Sequence, residues 1–144
     1  MALHWTSVLS IGVPELDAEH EEMFTRMDRL HDAILSGERA EVSRMIEYLR
    51  EHAVRHLAAE ETLMLAIGYP DRERHLREHE AFLATVRELT RRHDANGPTA
   101  VLVHDVERAV ASWIDGHVGI HDVALGAFAR EHLRRRQGGE RRPA

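Results

Sequence analysis

The chain is predicted to be all-α: an antiparallel up-down-up-down four-helix bundle with an N-terminal arm and a short C-terminal helix. Three observations carry this. Chain breakers leave four long segments, each with one apolar stripe at helical spacing. No stretch alternates apolar and polar residues between hairpin-type turns, so strand signals are absent. Short connections then favour antiparallel neighbours that bury one face each.

The breakers are Gly12 and Pro14, then Ser36-Gly37, Gly68-Tyr-Pro70 and Asn96-Gly-Pro98. They frame helices over roughly 15–35, 39–67, 71–94 and 98–117, with a shorter helical piece near 120–134. Gly37 and Gly68 suit C-terminal stops, and Pro98 suits a first helical residue. Stepping about 100° per residue around each segment gives its stripe. The first holds His20, Met23, Phe24 and Met27; the second Met45, Leu49, His52, His56, Glu60, Leu63 and Ile67. The third holds His75, His79, Phe82, Val86 and Leu89, and the fourth Val103, Val106, Val110, Trp113 and His117.

With 144 residues, 43% of them hydrophobic, one domain over 1–134 is expected, followed by a disordered basic tail over 135–144. Residues 130–144 carry a net charge of +4. The whole chain carries -6, which argues against nucleic-acid and anionic-membrane partners, because both reward a basic face. There is no cysteine, so thiolate metal sites and disulfides are excluded and any metal is held by nitrogen and oxygen. No run approaches the ~20 apolar residues that span a bilayer, and no secretion signal opens the chain. The protein is read as soluble, cytoplasmic and monomeric.

Six of the stripe residues, His20, His56, Glu60, His75, His79 and His117, joined by Asp122 just beyond the fourth segment, make a set of seven candidate metal ligands. His56-x3-Glu60 and His75-x3-His79 are i, i+4 pairs, which point the same way on a helix. An unpaired buried carboxylate is costly, and no arginine lies on these stripes to neutralise two of them. A metal is the remaining counter-charge. Seven ligands exceed what one ion takes, so two ions sharing the carboxylates fit better. With about six positions on each ion, five imidazoles, two bridging carboxylates and a bridging oxygen leave one position open. His117 and Asp122 are five residues apart, which rotates them ~140° from each other on a regular α-helix. The helix must therefore break or widen between them, with Gly116 and Gly119 supplying the freedom.

The segments Gly-Val-Pro-Glu-Leu-Asp-Ala-Glu-His20, His56-Leu-Ala-Ala-Glu60-Glu-Thr-Leu-Met, Gly68-Tyr-Pro-x4-His75-x3-His79-x2-Phe82 and Trp113-Ile-Asp-Gly-His117-Val-x3-Asp122 closely resemble the hemerythrins, in particular the single-domain bacterial members. The resemblance runs from Trp5 to about Leu133. It implies two iron ions, one held by His75, His79 and His117 and the other by His20 and His56, with Glu60, Asp122 and an oxo or hydroxo group as bridges. It also implies reversible dioxygen binding at the iron with two histidines, without catalysis, and a pocket lined by Met23, Leu57, Trp113, Val118 and His121. Leu57 departs from the phenylalanine usual at that place in bacterial members, and the smaller side chain is expected to open a path for solvent.

The remaining residues have plainer readings. His52, one turn from His56, is expected to be a core residue or a donor to a ligand and not an eighth ligand; His121 is expected to face solvent, and Glu61 to be a surface charge. His4, His31, His93, His104 and His132 are assigned no role. The rival function is a di-iron oxidase, peroxidase or nitric-oxide-handling protein. Five neutral imidazoles against two acids favour reversible binding over oxidation. Signalling would need a separate protein partner, docking on the arm from Met1 to Val13 or on the basic tail.

Overall fold

The computed structural model describes residues 5–140. His4 and residues 141–144 of the expected tail lie outside them. A single 3-10 turn, Ser7–Leu9, opens the described chain. Helix α1 (Pro14–Ser36) follows, with Pro14 at its start, where a missing N–H costs nothing. Gly37, at φ 78°, ends it in the left-handed conformation and returns its N–H to the Ala33 and Ile34 carbonyls. Helix α2 (Ala40–Ile67) ends in the same way at Gly68, and α3 (Arg72–Asn96) antiparallels it.

Helix α4 (Ala100–Trp113) starts two residues later than the breaker at Pro98 suggested. Thr99 is the reason: its hydroxyl accepts the Leu102 N–H at 3.2 Å, so it caps the helix and Pro98 stands outside. Beyond Trp113 the chain continues as a nine-residue π-helical segment, Ile114–Asp122, which passes directly into α5 (Val123–Glu140). The widening expected between His117 and Asp122 is this segment. Its glycines do not act through left-handed backbone, since Gly116 and Gly119 keep negative φ.

The four long helices form a ring in which α1 packs on α2 and α4, and α3 on α2 and α4. The larger core cluster includes Met23, Phe24, Met27, Leu49, Phe82, Val86, Val106 and Val110, so every stripe read from periodicity faces inward. A smaller cluster of Met64, Tyr69 and Leu125 closes the other end. Along α2, His56 and Glu60 fall between Ala53 of the first cluster and Met64 of the second. The polar residues thus occupy a layer with apolar packing on either side. Among the described residues there is no strand, and no helix is long and apolar enough to cross a membrane.

The C-terminal helix reaches Glu140, beyond the boundary near 134 read from the sequence. Arg134 and Arg135 reach back to Glu131 at i, i+3 and i, i+4 spacing, which supports an exposed helix where the glycines suggested fraying. Near its start α5 meets the N-terminal arm. Ile11 is fully buried, Asp17 accepts from the Ile11 N–H at 2.8 Å and the Ser10 hydroxyl at 2.6 Å, and Arg130 donates to the Ser10 carbonyl at 2.9 Å. A Cβ added at Gly126 would lie 2.5 Å from Ile11 Cα and 2.8 Å from the Ser10 carbonyl oxygen. Both are backbone atoms of the arm. Gly126→Ala is therefore expected to lift the arm off α5 and cost about 1–3 kcal/mol, as other overpacked sites do. Thermal unfolding together with limited proteolysis near Ser10 measures this; wild-type stability and cleavage would contradict the packing.

Candidate metal centre

Three helices and the π-helical segment that continues α4 contribute to one buried layer. His20 comes from α1, His56 and Glu60 from α2, His75 and His79 from α3, and His117 and Asp122 from the π-helical segment. All seven are at most 2% exposed. In a π-helix the backbone bonds run i→i+5, so residues five apart stack over one another. That register brings Asp122 Oδ1 to 3.0 Å from His117 Nε2, where a regular helix would have turned it away.

The two oxygens of Glu60 divide the histidines. Oε1 faces His75 Nε2 and His79 Nε2 at 3.1 Å each and His117 Nε2 at 3.9 Å. Oε2 faces His20 Nε2 at 3.2 Å and His56 Nε2 at 2.6 Å. Asp122 repeats the division, with Oδ1 at 3.1 Å from His75 Nε2 and Oδ2 at 3.1 Å from His20 Nε2. Two groups result, three histidines and two, with both carboxylates common to each; within each group the ligand atoms lie within 4.8 Å of one another.

Hydrogen bonding among these residues does not account for the arrangement. Both Asp122 oxygens and both His117 nitrogens are buried without a hydrogen-bond partner, despite the short N···O distances. The lone pairs meet at poor angles because they converge on the space between the residues. His20 Nε2 and His56 Nε2 stand 2.7 Å apart, a contact that at most one proton can bridge. A nitrogen and oxygen donor set of this kind fits divalent first-row metals. The seven residues can hold a metal, and the orphaned atoms give the layer its reason to exist.

The rings are set from behind. His56 Nδ1 lies 2.5 Å from a Glu19 carboxylate oxygen, and His79 Nδ1 lies 3.2 Å from Glu61. A carboxylate there makes Nδ1 the protonated nitrogen and leaves the Nε2 lone pair for the centre. Glu61 is thus a partner of His79 and not the plain surface charge expected from its place beside Glu60. Glu19 was missed altogether; its only sequence signal is that it precedes His20, and its partner is 37 residues away.

The pocket residues are placed less evenly. Met23, Leu57, Trp113 and Val118 are all buried in the larger core cluster. Trp113 stacks flat on His117, with ring centroids 3.7 Å apart and planes 6° from parallel, and Phe82 covers its other side at 4.0 Å. Its ring therefore backs the three-histidine group, where it was expected to shield the other one. His121 is one-fifth exposed, stands 3.8 Å from Glu78, and with it borders a cavity of about 350 Å³ outside His117 and Trp113. His52 is buried and stacked between Tyr48 and His56.

Charge explains the protonation of the metal-free layer. Burial pulls the His20 pKa down, but the Asp122 and Glu60 carboxylates overcome it and push it up to about 10. The same balance puts His75 at about 9 and raises His117. Burial works to raise Glu60, yet His117, His20, His56 and His75 hold it well below the usual carboxylate range; Asp122 is lowered likewise. Without metal, protons on the imidazoles supply the missing positive charge. A raised histidine pKa contributes stability that is complete below its unfolded value of 6.5 and is lost as pH rises through the folded value. The metal-free protein is therefore expected to lose stability between pH 7 and 10, with a drop in thermal midpoint of about 5 °C or more, and a flat profile over that range would contradict this charge balance.

Similarity to known proteins agrees with the geometry. The family model described as the Hemerythrin HHE cation binding domain matches residues 11–135. The chain is 31% identical to the Bacteriohemerythrin of Stenotrophomonas maltophilia over 90% of its own length and 88% of that protein. It is 29% identical to the Bacteriohemerythrin of Methylococcus capsulatus over 85% and 92%, and 29% identical to that of Pseudomonas aeruginosa over 91% and 84%. With the buried histidine and carboxylate layer inside the matched span, the chain belongs to the hemerythrin family.

Proposed function

We propose that the chain binds dioxygen reversibly at a pair of iron ions, as a carrier, store or sensor and not as an enzyme. The observation that carries this reading is the division made by Glu60 and Asp122. Each carboxylate presents one oxygen to His75 and the other to His20, the arrangement two bridged ions require. His75, His79 and His117 would hold one iron and His20 and His56 the other. A ferrous pair held there would supply the electrons for reversible dioxygen binding.

The chain's own residues keep that exchange reversible. Five neutral nitrogens against two acids make the centre less electron-rich than carboxylate-dominated sites, which favours release over further oxidation. Glu19 and Glu61 lock His56 and His79 in the tautomer that faces inward. Met23 and Val118, each at most 2% exposed, would keep water and stray protons from the bound oxygen.

Anaerobic loading with ferrous iron, followed by cycles of oxygen addition and removal, tests the reading. A visible band that forms and bleaches with each cycle supports it; irreversible oxidation, or turnover with an added reductant, favours the di-iron oxidase or peroxidase. His20→Ala and His117→Ala are each expected to retain at most one iron per chain by elemental analysis, and two irons in both would refute the ligand assignment. Leu57→Phe is expected to slow autoxidation while costing about 1–3 kcal/mol of stability for its added volume. Oxygenated lifetimes equal to those of the unaltered chain would remove Leu57 from the oxygen pocket.

A further inference from the structure

His52 is the buried histidine that the metal-centre reading leaves without a task. Only 7% of it is exposed, and its Nε2 makes no hydrogen bond, a loss that an aliphatic side chain at this place would avoid. Its ring lies in a column. Tyr48 stands on one side with centroids 4.5 Å apart and planes 19° from parallel, and His56 on the other at 5.0 Å and 15°. The three residues are spaced i, i+4, i+8 on α2, so one helix face holds the column together.

The column runs from the metal centre to the wall of a surface pocket. Its inner ring, His56, turns Nε2 to within 2.6 Å of Glu60. Its outer ring, Tyr48, borders with His52 a surface pocket of about 340 Å³. The Tyr48 hydroxyl donates to the Glu19 carbonyl oxygen at 3.5 Å, and the Glu19 side chain bonds His56 Nδ1, so both ends of the column rest on one residue. Trp113, stacked on His117 and bordering the cavity outside it, is the other oxidisable ring against the centre, and its radical is told from a tyrosyl by its hyperfine pattern. Tyr69 meets His75 edge-on at 6.3 Å.

We propose that Tyr48, coupled to the centre through His52, is a redox-active tyrosine that supplies an electron when hydrogen peroxide meets the iron pair in its half-oxidised state. The inference rests on the iron reading above. Peroxide takes two electrons and two protons to become two waters, and a pair holding one ferrous and one ferric ion can give only one electron before both are ferric. Tyr48 gives the second and releases its phenolic proton to solvent through the pocket. The sum is one peroxide, one proton, one ferrous ion and one tyrosine going to two waters, one ferric ion and one tyrosyl radical. The oxidising equivalent thereby leaves the ligand histidines for a buried ring that borders the outer pocket.

The chain has two tyrosines, which makes the test clean. Iron-loaded protein is half-reduced, mixed with one equivalent of hydrogen peroxide, freeze-quenched and examined by electron paramagnetic resonance. A tyrosyl signal is expected in the unaltered chain and in Tyr69→Phe, lost in Tyr48→Phe, and several-fold weaker in His52→Leu. Oxygen addition to His20 and His56, read by peptide mass spectrometry, is expected to rise in Tyr48→Phe. A signal that survives Tyr48→Phe, disappears in Tyr69→Phe or is missing from the unaltered chain overturns the proposal. Iron content and oxygen cycling on the same preparations separate the two readings: two irons with reversible oxygen binding but no Tyr48 radical refutes this inference alone, whereas a chain that takes up no iron removes both.

Discussion

Two carboxylates, Glu60 and Asp122, sit at 0% and 1% exposure in the middle of a helical bundle, and among the described residues their ion-pair partners are histidines, not arginines. Leaving one such charge unpaired would cost more than a small domain has to spare. Much of the polar interior follows from meeting that demand. Five imidazoles from four segments turn Nε2 toward the carboxylate oxygens, and the apolar stripes above and below give way to a polar layer only at this level. The two core clusters fall on either side of it, so apolar packing holds the layer from both ends while supplying no counter-charge.

The π-helical segment belongs to the same constraint. An α-helix through residues 114–122 would keep either His117 or Asp122 in the layer, because ~140° separates them. Widening to i→i+5 bonds keeps both, at the expense of regular helix geometry over nine residues. Helical backbone is retained on each side, so the distortion is local. Gly119 permits it by size: a Cβ there would come to 3.4 Å from the Ile114 carbonyl oxygen, the i→i+5 position.

What the sequence makes legible is whatever depends on spacing along one helix. The four stripes, the seven inward residues and the need for a register change after His117 follow from angles of about 100° per residue. Partnerships between helices are not legible in that way. Glu19 and His56 are on different helices, as are Glu61 and His79, and a glutamate beside a ligand looks like any solvated charge until the packing is known. Trp113 lay on the expected stripe, yet only the structure tells which histidine its face covers. Helix ends are less legible: the Thr99 hydroxyl caps α4 past Pro98, and α5 runs on through Gly138 and Gly139 to Glu140.

The two acids that sequence reasoning passed over complete the electrostatics. Two divalent ions would bring four positive charges to a layer holding two carboxylates, an excess of two before any bridging group is counted. Glu19 and Glu61 add two negative charges, one behind a histidine of each group, through Nδ1 of His56 and Nδ1 of His79. Because each is more than a third exposed, neither bears the desolvation cost of the inner pair. Their charge reaches the centre through an imidazole ring, which spreads the compensation outward and lets the inner layer keep neutral nitrogen as its majority donor. Moving either acid into the layer would balance the same charge but would make the metals richer in electrons, the condition that favours oxidation over release.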